Sequence, residues 1–439
     1  MVTTNMSFWK GITLVTDTAW GDSGKGKIVD EAASHSDMVI KTNGGANAGH
    51  TVVNHLGEFK LHLVPSGIFH KNVFCVISTE IVADPFALVS EIEELRKKGI
   101  HISKNNLLIS DTMHLVMPWH KMRDTLKEKA RGKVKIGTTG RGIGPTYADR
   151  ADRVGLRMKD LFSNDFKDIF LAEAKWQEEL TRLMDKGQNG KTKYYDTKTL
   201  LNDFIHVKKI LKPFVGNALL KIWKYQNEKK TIIGEAGQGA LLDISLGGYP
   251  YVTSSHPGAS GFSLATGIQG REMKRVVGVT KAYTTRVGSG PMPTELTGKI
   301  GIHLQTKGQE VGATTGRTRR CGWLDCVAVK YGARTTGVTD VALTKLDILD
   351  ELKEIKICVG YKIKGKIVKN LTSFDTDEVK IAKPVYETFP GWQEDITKIK
   401  SFSDLPKNAK IYISAIEKLL DLPVSIVSVG PSREQTIYR

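Results

Sequence analysis

The run Gly21-Asp22-Ser23-Gly24-Lys25-Gly26-Lys27 lies between an apolar stretch and an amphipathic one and satisfies G-x-x-x-x-G-K. Glycines at such a turn let backbone N–H groups approach phosphate oxygens. The helix that follows adds partial positive charge, and lysines offset phosphate charge. Ile28 comes next, where an ordinary phosphate loop has the Ser or Thr whose hydroxyl binds magnesium. Asp22 is the hard oxygen ligand that could take over. A second stretch, Asn43 to Thr51, reads NGGANAGHT. Its glycines and asparagines suit a backbone loop folded tightly against a ligand. His50 within it could donate a proton, or a hydrogen bond, to charge developing on oxygen.

Two further glycine-rich stretches are weaker by themselves. Gly137 to Pro145 contains G-x-G fragments without the rest of a dinucleotide fingerprint, so a surface loop competes with a ligand loop. Val311 to Arg320 places Arg317, Arg319 and Arg320 among threonines and glycines. Arginine forks clamp carboxylates or phosphates through two contacts, and flanking glycines would let such a loop close over a substrate. Thr344-Lys345-Leu346-Asp347 follows an apolar run and has the form of the N/T-K-x-D element of GTP-binding proteins. An aspartate there accepts two hydrogen bonds from a guanine edge, and adenine offers no matching pair of donors.

The elements that must position these residues read as an α/β chain. Strands are predicted at Ile12 to Thr16, Met38 to Lys41, Phe59 to Val64, Val73 to Ser78, Leu107 to Ile109, Thr231 to Gly234, Val276 to Thr280, Val341 to Thr344 and Ser425 to Val429. Lys25 to Ser34 is a predicted helix. Another starts at Asp84-Pro85, as N-cap and first-turn proline, and ends at Gly99. Alternation of this kind implies a mainly parallel sheet with crossover helices. Residues from about 113 to 225 are mostly helical and charged, and read as a helical insertion in one catalytic unit spanning 1–439. Ile355 to Val368 reads as an antiparallel hairpin about Lys364-Gly365.

Composition limits the classes. Of the 439 residues 40% are hydrophobic and 25% charged, enough for a large core and against disorder. No apolar run approaches a membrane span and Met1 to Gly11 lacks a signal-like segment, so a cytoplasmic protein is expected. Four cysteines without C-x-x-C spacing exclude a disulfide scaffold and disfavour zinc. A net charge of +17 fits either nucleic acid or small anionic ligands. No nucleic-acid motif accompanies it, which disfavours the first.

Taken in order, GDSGKGK, NGGANAGHT, GTTGRGIGPTY, EAGQGALLDI, YPYVTSS, GATTGRTRRCGW and TKLD resemble the adenylosuccinate synthetase family, from about Ile12 to Pro431. The family's first block has Glu where Ser23 stands, a departure that leaves Asp22 and Lys25 intact. The resemblance implies a P-loop NTPase-like α/β enzyme, usually a homodimer. It would ligate inosine monophosphate (IMP) to L-aspartate at the expense of GTP, with magnesium, through 6-phosphoryl-IMP. This is the first committed step from IMP to AMP. In that chemistry Asp22 takes the ring-nitrogen proton of IMP, His50 stabilises phosphoryl transfer and Lys25 neutralises charge.

Carried over residue by residue, the IMP contacts fall on Asp22, Ser23, Gly24, Lys25, Asn47, Ala48, Gly49, His50, Thr139, Arg153, Gln238, Thr253, Val287 and Arg317. Aspartate would meet Ala313, Thr314, Thr315, Gly316, Arg317, Thr318 and Arg319. GTP would meet the loop Gly21, Asp22, Ser23, Gly24, Lys25, Gly26 and Lys27, then Gly49, His50 and Thr51, then Arg319, Lys345, Leu346 and Asp347, and finally Ser428, Val429 and Gly430. Asp22 and the Gly49 carbonyl would hold magnesium. Arg153, in Asp152-Arg153-Val154-Gly155, matches an arginine that reaches the nucleotide from the partner subunit. The competing class is a P-loop-like GTPase switch, disfavoured by Ile28 and by the arginine-threonine loop.

Overall fold

Leu14 and Val15, adjacent in the first strand, face opposite layers. Leu14 packs with Ile40, Phe262 and Ala333, and Val15 with Ile28, Val29 and Val277. Burial on both faces is the environment of a central strand in a sheet covered by helices on each side. The computed structural model of the chain describes residues 2–54, 56–186, 194–312 and 316–439. Among them the main sheet has ten strands: β1 (Ile12–Asp17), β2 (Met38–Lys41), β3 (Phe74–Ile77), β4 (Leu107–Ser110), β5 (Val215–Gly216), β6 (Ile232–Glu235), β7 (Arg275–Lys281), β8 (Asp340–Thr344), β9 (Val424–Ser428) and β10 (Thr436–Tyr438). Their spatial order is β5-β4-β3-β2-β6-β1-β7-β8-β9-β10. Every neighbouring pair is parallel except β9 and β10.

Two of the expected helices form as read. Lys25–Ala33 buries Ile28, Val29, Ala32 and Ala33 on the sheet. Pro85–Lys97 starts at Asp84, whose carboxylate accepts the N–H groups of Phe86 (2.9 Å) and Ala87 (3.3 Å). The expected strand Phe59 to Val64 is a correction. Gly57–Leu61 pairs antiparallel with His50–Asn54 outside the main sheet, and the strand stops there. The N–H groups of His62, Leu63 and Val64 go to the buried carboxylate of Glu91 at 2.9 to 3.2 Å, leaving none for a neighbouring strand.

Helices dominate from Pro118 to Asn227, yet Phe170, Phe204 and Leu211 share one core with Leu88, Ile92 and Ile109 beside the sheet. The hairpin about Lys364-Gly365 joins Glu354–Ile363 to Lys366–Val368, and Lys383–Pro390 adds a third strand. The four cysteines are free and buried. No helix among the described residues is long and apolar enough to cross a membrane. The loops leaving the carboxyl ends of β1, β2, β6, β7, β8 and β9 carry the sequence motifs, the edge on which open parallel sheets bind ligands.

Candidate active site

The turn after β1 places Gly24 at the N-cap of Lys25–Ala33 in the left-handed region, φ 87°. Gly26 lets this helix touch the second loop, since a Cβ would stand 2.7 Å from the Thr51 carbonyl. Behind the turn lies Asp17, the last residue of β1. Its carboxylate accepts the N–H groups of Ala19 (2.9 Å), Gly21 (3.2 Å) and Ser23 (3.1 Å). Lys25 reaches the Gln238 carbonyl and lies 3.7 Å from Asp17. Lys27 turns the other way and donates to Ser428 Oγ (2.6 Å) and to the carbonyls of Gly430 (2.7 Å) and Gln435 (3.0 Å). Burial pushes its ammonium down to about 7, against the pull of Asp347 and Glu31.

His50 is held from below. Its Nδ1 meets Glu235, the last residue of β6, and lies 3.2 Å from the ammonium of Lys41, the last residue of β2. Glu235 is fully buried and also accepts from Lys41 Nζ (2.8 Å), Ser66 N (2.7 Å) and Ser66 Oγ (3.0 Å). Burial alone would raise its carboxyl; Lys41, His50 and the hydrogen bonds outweigh burial and hold it well below the usual range. Burial first, then Lys41, pushes the imidazole down to about 4. At neutral pH His50 is therefore uncharged. With Nδ1–H given to the carboxylate, Nε2 offers a lone pair.

On the opposite side Arg319 donates to Asp22 Oδ2 at 2.9 Å and to Glu310 Oε2 at 2.7 Å. Glu310, fully buried, also takes Lys281 (2.9 Å) and Lys345 (3.2 Å). These cations overcome the desolvation of Glu310 and keep it ionised. The stretch Gly137 to Pro145 is anchored as well. Glu128 accepts the N–H groups of Ile136, Gly137 and Thr138, and the Gly137 carbonyl accepts from Arg317 at 3.2 Å. Asn43 and Asn47 converge on the Gln238 amide at 3.1 and 3.2 Å. Thr344 Oγ1 ties the Thr344–Asp347 element to the first loop through the Ser23 carbonyl at 2.6 Å.

These loops enclose one cleft of about 1070 Å³, walled by ten lysines and arginines against four carboxylates. That excess fits ligands carrying several negative charges. The structure brings to the wall Gly21, Asp22, Gly24, Lys25, Gly26, Lys27, Asn47, Ala48, Gly49, His50, Thr51, Thr139, Gln238, Thr253, Val287, Gly316, Arg317, Arg319, Lys345, Asp347, Ser428 and Gly430. Four buried side-chain polar atoms of wall residues have no hydrogen-bond partner among the described residues: Trp20 Nε1, Thr253 Oγ1, Arg286 Nε and Asp347 Oδ1. Burial raises the Asp347 carboxyl, chiefly against the hydrogen bond from its own backbone and the charge of Lys345.

Ser23, Leu346 and Val429 are buried behind the wall, and Thr318 is exposed and off it. Arg153 is exposed at the C-terminus of the helix Ile143–Asp152, away from it. Val311 bridges Thr318 across the arginine loop, and Ala313, Thr314 and Thr315 lie outside the described residues. Sequence reasoning missed Asp17, Lys41, Glu235, Lys281 and Glu310. The first four each end a buried strand, so a charged residue closing an apolar run was the available signal.

A family model described as adenylosuccinate synthetase matches residues 14–437. The chain belongs to the adenylosuccinate synthetase family. An adenylosuccinate synthetase from Caldanaerobacter subterraneus subsp. tengcongensis is 45% identical over 429 residues, covering 97% of this chain and 98% of that one. One from Microcystis aeruginosa is 44% identical over 425 residues, covering 97% and 93%. The solved structure of a fully ligated adenylosuccinate synthetase from Plasmodium falciparum superposes with a TM-score of 0.91 at 35% identity, covering 98% of this chain and 100% of that one. A cyanophage S-2L succinoaminodeoxyadenylate synthetase shares the fold, at a TM-score of 0.57 and 15% identity, covering 98% and 95%. Membership of the adenylosuccinate synthetase family bears out the P-loop-like α/β reading and does not favour the GTPase switch.

Proposed function

We propose that the chain joins IMP to L-aspartate at the expense of GTP, yielding adenylosuccinate, GDP and phosphate. The observation that carries this reading is the meeting of Asp22, Lys25, His50, Gln238, Arg317, Arg319 and Asp347 around one cationic cleft. The oxo group of a purine is a poor leaving group, and phosphorylation makes it a good one. Asp22 accepts the ring-nitrogen proton of IMP, and the oxo oxygen attacks the γ-phosphorus as the bond to GDP breaks. Lys25 offsets charge on the transferring group. The aspartate amine then attacks the ring carbon and inorganic phosphate departs.

The neutral His50 accepts at Nε2 in the free protein, so donation to phosphate requires the imidazolium. Phosphate charge arriving at Nε2 would favour that form, with Glu235 stabilising it from the other side. Arg317 and Arg319 suit the carboxylates of aspartate, and the orphaned Asp347 oxygen suits a guanine edge. Asn47, Gln238 and Thr253 suit IMP.

Among the described residues no cluster of three histidine, cysteine or acidic side chains could hold a metal alone. Asp22 and the Gly49 carbonyl, both on the wall, fit a magnesium ion completed by water and phosphate oxygens. Bound there, magnesium would neutralise phosphate charge. We further propose a cytoplasmic homodimer in which the exposed Arg153 enters the partner's cleft. Within it each chain is a single catalytic unit, with residues about 113–225 inserted.

The test is an absorbance assay omitting each component in turn. A purine change should require IMP, GTP, aspartate and magnesium together, and no change with all present would sink the reading. With the oxo oxygen of IMP isotopically labelled, the label should appear in the released phosphate.

A further inference from the structure

The phosphate loop already holds an anion of its own. Asp17 is fully buried, and its two carboxylate oxygens take the N–H groups of Ala19, Gly21 and Ser23 at 2.9 to 3.2 Å. A glycine closes the back of this ring: a Cβ on Gly239 would stand 2.8 Å from the nearer carboxylate oxygen. Converging backbone donors of this kind are where a phosphate loop ordinarily seats phosphate. Here a phosphate oxygen entering the ring would meet a fully buried carboxylate, and like charges repel strongly where solvent screening is weak. The ammonium of Lys25, 3.7 Å from the same carboxylate, belongs to a residue on the cleft wall.

We infer that Asp17 is a positioning residue that replaces phosphate in the ring. It sets the shape of the loop before any nucleotide arrives and aims Lys25 at the transferring phosphoryl group. The amides of Ala19, Gly21 and Ser23 therefore serve Asp17, and the phosphoryl group is met by side chains on the wall, Lys25 first among them. Three loop donors satisfied by one internal carboxylate, with the catalytic cation beside it, are the juxtaposition on which this stands. It rests on the phosphoryl-transfer reading above.

Two variants test it. Asp17→Gly empties the ring, and calorimetry with inorganic phosphate, which needs no turnover, should show about 10-fold or greater tightening over wild type, the worth of one charge-assisted contact. Equal affinity in the two proteins would overturn the inference. Asp17→Asn keeps the volume and one acceptor oxygen and stands in if the glycine variant does not fold. Its kcat should fall about 10- to 100-fold, with KM for IMP and GTP within about threefold and the melting curve still cooperative. A kcat within about twofold of wild type would overturn the inference.

Sodium formate, and not sodium chloride at equal ionic strength, should restore turnover to Asp17→Gly by refilling the ring. Restoration by both salts alike would point to general screening and overturn it. Wild-type protein inactive with every component present would sink the reaction reading, while the phosphate comparison would still judge Asp17.

Discussion

Replacing Glu235 by glutamine separates what the buried charge does for the fold from what it does for His50. Gln keeps one acceptor oxygen where Glu has two. If that oxygen faces His50 and Lys41, the amide N–H2 points at Ser66 N–H, which lies 2.7 Å from the present carboxylate oxygen. If the amide is flipped, the N–H2 faces the imidazole and the Lys41 ammonium, which lies 2.8 Å away. Either way donor meets donor, and the Lys41 charge loses its buried counter-ion. Breaking a buried pair from one side costs about 3–5 kcal/mol. A chain of 439 residues has an unfolding entropy of about 0.9 kcal/mol/K. The melting midpoint should therefore fall by about 3–5 °C.

Turnover should fall by about 100-fold or more, because the imidazole loses the acceptor that fixes its tautomer. Differential scanning calorimetry and the component-omission assay measure the two effects. Lys41→Met/Glu235→Gln removes both charges, so it should recover part of the melting point and little of the turnover. Glu235→Gln with turnover within about twofold of wild type, or full recovery of turnover in the double variant, would refute the assignment of His50 to Glu235.

Asp22→Asn should abolish turnover while nucleotide binding, read by calorimetry, persists, because the side chain keeps its volume and loses its proton-accepting capacity. An Arg153→Ala protein mixed with an inactive Asp22→Asn protein should regain part of the activity, because one hybrid cleft receives both native residues; no recovery despite heterodimer formation would argue against a shared site. Burial pushes Asp325 up to about 6, in spite of the Tyr361 hydroxyl that donates to it at 2.6 Å. A carboxyl raised in the folded state lends stability that is complete below about pH 4 and is lost as pH climbs through about 6. Asp325→Asn should therefore lose less stability than wild type between about pH 4 and pH 8, by at most about 3 kcal/mol in urea titrations, and an identical pH dependence would contradict the burial argument.

Strands and glycine-rich loops were legible because their signals are local. β1, β2, β6 and β8 lie within a residue or so of their expected limits, and the loops that follow them meet at one edge. The charged supports were not legible, because each depends on partners far away in sequence. His50 and Glu235 are 185 positions apart, Asp22 and Arg319 are 297. The same reason hid the end of the strand at Leu61, whose successors bond to Glu91 on a distant helix. Lys27 is the instructive case. Its spacing pointed to phosphate, and its ammonium is held by Ser428, Gly430 and Gln435 from the far end of the chain.

β1 has a further consequence for how the molecule comes into being. Its hydrogen-bonding neighbours are Ile232–Glu235 on one side and Arg275–Lys281 on the other. Made before either neighbour, β1 thus waits until the chain has been extended to Ile232 before either flank can be covered. Such long-range pairing is slow and leaves sticky edges exposed to chaperones and to other nascent chains. Because Asp17 and Asp22 hang from that strand, a truncated translation product cannot assemble the catalytic edge, and competence arrives only with the finished chain.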